Sequence, residues 1–308
     1  MSKIAFIFPG QGAQICGMGQ DFYEQAETAK EIFDKASEIL GFSMPELCFE
    51  KNDRLDITEY TQPAMVTASI AMMKVFMERT GITPSVAAGL SLGEYPAMAA
   101  AGVMSAAEDI RTVRQRGILM QEAVPAGVGA MSAVLAMDGE KIEEVIAPID
   151  GVQIANYNCP GQIVISGKKE AVDEAAVKLK EAGAKRVLPL NVSGPFHSSL
   201  LEEAGEKLGE VLAQVEAHTP VIPYIANVTA GYVTDAGDVK PLLIKQVSSS
   251  VRWEQSIRRM LEDGVDTFIE IGPGRTLTGF MKKIDRNAKA MNIEKLEDIE
   301  KVKEALGC

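Results

Sequence analysis

The sequence is poor in the residues that build metal sites and disulfide frameworks. Its 308 residues include two histidines, His197 and His218, and four cysteines, Cys16, Cys48, Cys159 and Cys308. The histidines lack ligand spacing, which argues against a metal site. The cysteines are scattered with no Cys-x-x-Cys, the usage of reduced thiols in a cytoplasmic protein. Long apolar runs are missing as well. The most apolar later stretch, Tyr95 to Ala107, is too short for a membrane span and contains Pro96 and Gly102. No signal peptide is visible, because Ile4 to Pro9 runs straight into Gly10-Gln11-Gly12 and reads as a first strand. Positive charge is also scarce: 31 Lys and Arg stand against 43 Asp and Glu, a net charge of −12. That balance excludes general nucleic-acid binding while leaving room for local basic patches.

What is present is an ordinary globular composition, 46% hydrophobic and 24% charged, long enough for one large domain or a large domain with an insert. One pentapeptide organises the chain: Gly89-Leu90-Ser91-Leu92-Gly93. It follows the apolar run Ser85 to Ala88 and precedes an Ala- and Met-rich run, Glu94 to Gly102, of helical composition. Strand, Gly-x-Ser-x-Gly, helix is the setting of a nucleophile elbow, in which the turn lifts the serine hydroxyl out of the sheet. The helix N–H groups beginning near Leu92 would stabilise a carbonyl oxygen turning negative above Ser91. In a chain with 27 glycines the pentapeptide alone is weak, and its setting carries the reading.

Taken in order, Ile4 to Phe8 reads as a buried parallel strand. The turn Pro9 to Gln14 is no dinucleotide loop, since Ile15 stands where a third glycine is required. Residues 20–42 read as one helix. Leu55 to Thr61 reads as a polar connection, with Pro63 in the first turn of a helix over 64–79. A helix over 106–122 carries Arg116 beside Gly117. From 124 to 193 the order β-α-β-β-α-β predicts an inserted ferredoxin-like subdomain, whose last strand is 186–192. Ser193 to Ser199 returns the chain to the large subdomain. His197 is expected to start a helix reaching His218, where the helix N-terminus would keep His197 neutral and the C-terminus would favour a cation at His218. Further strands are expected near 223–228, 266–271 and 290–292. The predicted fold class is α/β: an α/β-hydrolase-like large subdomain with a parallel sheet (1–123 and 194–308) and a ferredoxin-like (βαββαβ) small subdomain (124–193).

Several stretches follow one another in order along nearly the whole chain: Phe8 to Gln14, Thr61 to Ala64, Gly89 to Tyr95, Gln115-Arg116-Gly117, Asn156-Tyr157-Asn158, Pro160 to Gly167, Gly194 to His197, Asn227 to Ala230 and Glu270 to Gly274. In these stretches the sequence resembles the malonyl-CoA:acyl-carrier-protein transacylases of type II fatty-acid synthesis. The resemblance implies Ser91 as acylated nucleophile and His197 as its base. It implies the backbone N–H groups of Gln11 and Leu92 as oxyanion hole, and the backbone carbonyl of Gln246 as the group orienting His197. Arg116 would hold the malonyl carboxylate, and Asn156, Asn158, Phe196 and Met120 would line the site. No cofactor is implied, only the substrates malonyl-CoA and phosphopantetheinylated acyl carrier protein. The expected carrier-docking cations are Lys185, Arg186, Lys282, Lys283 and Arg286, on a monomer. Leu90 departs from the family's usual histidine before the serine, whereas Phe196 matches its malonyl-selective members. The rival activity is that of a serine esterase or thioesterase. α/β-Hydrolases place an acid between serine and a late histidine, and no acid is clearly placed for His197.

Overall fold

A five-residue strand, β1 (Ile4–Phe8), shows why the centre of the molecule is a parallel sheet. Phe6 and Phe8 enter one hydrophobic core and Ala5 and Ile7 enter another, so both faces of the strand are buried and alternation of polarity disappears. The other strands are β2 (Val86–Gly89), β3 (Gly129–Leu135), β4 (Val152–Cys159), β5 (Gln162–Lys168), β6 (Arg186–Pro189), β7 (Tyr224–Ala226), β8 (Gly231–Val233), β9 (Thr267–Ile271) and β10 (Lys289–Ile293). This computed structural model describes residues 2–125, 127–192 and 194–307. Cys308, expected as a free thiol, and Ser193, expected at the return to the large subdomain, lie outside them. Cys16, Cys48 and Cys159 are free thiols.

The large sheet has the order β10-β9-β1-β2-β7-β8. All its pairs are parallel except β7 with β8, so a short antiparallel edge strand is added to the parallel sheet that the sequence predicts. Strand order reverses at β1, which has β2 on one side and β9 on the other. Ligands bind outside the carboxyl ends of strands at such a switch point. The turns after β1, β2 and β9 all open there. The small sheet, β4-β5-β3-β6, is antiparallel, and its order is that of a ferredoxin-like unit. One of its faces packs on the helices Gly139–Ile146 and Lys169–Glu181. Met131, Asn156, Asn158 and Val164 come from the opposite face and look into the cleft. A parallel bridge between Asn156 and Val251 ties β4 of the small sheet to the segment that leads into the helix Trp253–Glu262.

Five local expectations need correction. The helix expected over 20–42 is two helices, Gln20–Gln25 and Glu27–Leu40, broken at an extended Ala26. The break folds Tyr23 and Phe33 around Phe49, a long-range aromatic contact that periodicity cannot register. The helix expected from residue 64 begins at Thr58, so Pro63 is interior. Its ring leaves the Glu59 carbonyl without a helical donor, and Arg114 Nη1 donates to that oxygen at 2.6 Å. Strand β6 stops at Pro189, three residues early. His197 starts no helix: it sits at φ 56°, and regular helix begins only at Glu202. That helix ends at Ala213, so His218 is no helix C-terminus; it is exposed, 3.9 Å from Glu216 Oε1.

Candidate active site

The elbow is built by close backbone approach. A Cβ on Gly89 would lie 1.8 Å from the Gly93 carbonyl oxygen, and one on Gly93 would lie 2.1 Å from that of Phe8. Only glycine fits at either position. Between them Ser91 is forced to φ 52°, a strained conformation for a residue with a side chain. Asn227 clamps it: Asn227 Oδ1 accepts from Ser91 N–H at 2.6 Å, and Asn227 Nδ2 donates to the Gly89 carbonyl at 2.7 Å. The Asn227 backbone N–H in turn donates to Glu94 Oε2 at 3.1 Å.

Ser91 Oγ lies 2.7 Å from His197 Nε2. On the other side of the ring, Nδ1 lies 2.9 Å from the Gln246 carbonyl and 3.2 Å from that of Ser249. Carbonyl oxygens only accept, so Nδ1 carries the proton and Nε2 presents a lone pair to the serine. The second carbonyl, Ser249, is absent from the sequence reading. Burial first, then the Arg116 charge, lowers the His197 pKa to about 4, against the opposing pull of the two carbonyls. Burial therefore does what the sequence reading assigned to a helix N-terminus.

The sign of this shift fixes a pH dependence. Unfolded, His197 takes up a proton below about 6.5; folded, it does so only near 4. It therefore withdraws stability as pH falls from about 6.5 to about 4, by about 3 kcal/mol at the limit. Glu94 acts oppositely: its pKa is raised by burial to about 7, so it withdraws stability as pH rises from 4.5 through 7. Serine acylation followed after rapid pH jumps should stay flat well below pH 6.5 and fall only towards pH 4. An acid limb at 6.5 would contradict the lowered value.

Arg116 comes from the helix Ala106–Glu122 and is 1% exposed. Gly117 allows this, because a Cβ there would lie 2.8 Å from the Glu59 Cα. Nη1 donates to Gln62 Oε1 at 2.9 Å and Nη2 to Gln246 Oε1 at 3.0 Å, while Nε is buried without a partner among the described residues. Burial lowers the pKa of the guanidinium from its ordinary value, but arginine remains protonated in proteins.

These groups share one cleft of about 810 Å³. Gln11, Leu92, Met120, Asn156, Asn158 and Phe196 line it together with Ser91, His197 and Arg116. Leu90, the departure from the family pattern, is part of the wall. Gln246 is fully buried behind the pair and meets His197 through its backbone. Gln62, Glu94 and Asn227 had no role assigned from sequence; their only signal was membership of the stretches that carry the resemblance. Among the described residues no group of three metal-ligating side chains could hold an ion, and no helix is long and apolar enough to cross a membrane.

Comparison with known proteins identifies the family. The acyl transferase domain model matches residues 5–301. Malonyl CoA-acyl carrier protein transacylase of Bacillus subtilis (strain 168) is 50% identical over 305 residues, covering 97% of this chain and 96% of that one. The crystal structure of malonyl CoA-acyl carrier protein transacylase from Clostridium perfringens aligns with a TM-score of 0.96 at 42% identity, over 99% of this chain and 98% of that one. A malonyl-transacylase solved in complex with a type II PKS acyl-carrier protein aligns at 0.95 with 39% identity, over 99% and 100% of the two chains. The chain belongs to the acyl transferase family, among the malonyl CoA-acyl carrier protein transacylases.

Proposed function

We propose that the protein transfers a malonyl group from malonyl-CoA to the phosphopantetheine thiol of acyl carrier protein, in fatty-acid biosynthesis, through a malonyl ester on Ser91. One observation carries the choice of acyl group: a buried guanidinium with no carboxylate partner described opens on the same cleft as the serine–histidine pair. His197 Nε2 takes the Ser91 proton as Oγ attacks the thioester carbonyl. The N–H groups of Gln11 and Leu92 hold the tetrahedral oxyanion, each contributing about 3 kcal/mol. The C–S bond breaks, His197 returns the proton to the departing thiolate, and malonate remains esterified to Ser91. The carrier thiol then gives its proton to His197 and attacks the ester carbonyl; the C–O bond to Ser91 breaks and His197 returns the proton to Oγ. Arg116 pairs bidentately with the free carboxylate throughout. Asn156, Asn158, Met120 and Phe196 shape the remaining walls.

The carbonyls behind His197 support transfer over hydrolysis. A less basic histidine than one backed by an acid suffices for a thiol and activates water poorly. The relatives' names favour the same choice over a serine esterase or thioesterase. No cofactor takes part, and the protein works as a cytoplasmic monomer. Residues 1–123 with 194–308 form the catalytic subdomain and 124–193 the smaller one. Intact mass measurement after mixing with malonyl-CoA tests the reading: one malonyl unit should add to the protein and leave on addition of holo carrier protein. Release of free malonate faster than transfer would point to the hydrolase.

The carrier docks against exposed cations near the cleft, Lys185, Arg186, Lys282, Lys283 and Arg286. Lys283 Nζ lies 3.4 Å from Oε1 of Gln162, a residue of the cleft wall, which supports that placement. Charge reversal at Lys282 and Lys283 should raise the KM for carrier protein about tenfold at low salt and much less at high salt, with the KM for malonyl-CoA little changed. A salt-independent effect would argue against docking there.

A further inference from the structure

The hydrogen bonds holding Arg116 are chemically selective. Nη1 and Nη2 each end on an amide oxygen, Gln62 Oε1 and Gln246 Oε1, and among the described residues neither bonds a carboxylate. Yet a carboxylate is at hand. Glu94 is fully buried on the elbow helix, near enough that its charge and that of Arg116 act on each other. Gln246 stands between them. Its Nε2 donates to Glu94 Oε2 at 2.7 Å and to the Ser91 carbonyl at 3.1 Å, while its Oε1 accepts from Arg116. The amide can face only this way, because an NH₂ group must meet the carboxylate and a carbonyl must meet the guanidinium. The other Glu94 oxygen, Oε1, is buried with no partner among the described residues, so it has an acceptor to spare. Gln62, 1% exposed, holds the second arm of the fork, and its Nε2 rests 3.6 Å from Met120 Sδ.

A carboxylate in either amide position would form an internal ion pair and cancel the positive charge before a substrate arrived. A neutral oxygen aims the fork equally well and leaves the charge whole. We propose that Gln62 and Gln246 are positioning residues for acyl selectivity, whose uncharged oxygens orient Arg116 and whose presence keeps Glu94 from pairing with it, so that the site favours an acyl group ending in a carboxylate. The proposal rests on Arg116 being the clamp for the malonyl carboxylate.

Gln62→Glu tests it, since it exchanges an amide for a carboxylate of the same shape. The readout is the ratio of kcat/KM for malonyl-CoA to that for acetyl-CoA in Ser91 acylation. Gln62→Glu should lower the ratio by about 50-fold or more, chiefly through the KM for malonyl-CoA. Gln62→Met removes the hydrogen bond without adding charge and should lower it less than about fivefold. Equal losses in the two variants would make Gln62 a merely structural support and overturn the proposal. So would an unchanged ratio in Gln62→Glu where Arg116→Ala collapses it. An Arg116→Ala protein that keeps its malonyl preference overturns the clamp reading and this proposal with it. Should Gln62→Glu not fold, Gln246→Met provides the second arm. It should lower the ratio by freeing Glu94 to approach Arg116, and adding Glu94→Gln should restore it about tenfold. Absence of that rescue overturns the proposal.

Discussion

In the Ser91→Ala protein, mixing with malonyl-CoA should leave the intact mass unchanged, and transfer to carrier protein should fall by about 10⁴-fold or more. The expectation follows from what the serine oxygen alone can do. It lies 2.7 Å from an imidazole nitrogen that presents a lone pair, and among the described residues of the cleft wall no other nucleophilic side chain is so placed. Losing the base instead should hurt comparably, because nucleophile and base act as a unit and their deletions are far from additive. Alanine accepts the φ 52° backbone about as well as serine does, so the melting temperature should hold. The clamp from Asn227 uses the Ser91 amide and the Gly89 carbonyl, which the substitution leaves in place. A one-malonyl adduct persisting in Ser91→Ala would move the nucleophile elsewhere and end the proposed mechanism.

The second large effect is one of choice between substrates. Arg116→Ala should lower malonyl transfer by at least about 100-fold while acetyl transfer persists or rises, because breaking a buried charge pair costs about 3 kcal/mol or more. In the native site an acetyl group leaves the guanidinium facing no counter-charge, and in the variant that penalty disappears. Arg116→Lys should fall between the two, since an ammonium keeps the charge but loses the planar fork that Gln62 and Gln246 hold. Competition between malonyl-CoA and acetyl-CoA in one reaction, read by mass, measures the ratio directly. Malonyl-CoA remaining strongly preferred in Arg116→Ala would remove Arg116 from the role.

The elbow was legible because its physics is local. A strand of small residues, two glycines around a serine and a helix-forming run lie within the 18 consecutive residues Ser85 to Gly102, and close packing alone dictates glycine at 89 and 93. The helix Ala106–Glu122 and the β-α-β-β-α-β order were legible for the same reason, through the local pattern of polar and apolar residues. The chain break at Ala26, the early start of the helix carrying Pro63 and the antiparallel edge strand β8 were not. Each depends on a partner far away in sequence: Phe49 for the aromatic cluster, Arg114 for the Glu59 carbonyl, and β7 for the strand.

The candidate reacting groups were thus set by the chain's own order of residues: which serine sits in a glycine-framed turn, which histidine and which arginine accompany it. Their condition was decided by the folded interior. Desolvation, and not a helix terminus, lowers the His197 pKa to about 4, and two carbonyls from a separate segment choose its tautomer. The neutrality of the oxygens around Arg116 is likewise a three-dimensional fact, since Gln62, Glu94 and Gln246 meet only in the core. Backbone conformation answers to neighbours in the chain, whereas charge and protonation answer to whatever is packed nearby, and packing brings together residues that sequence keeps far apart.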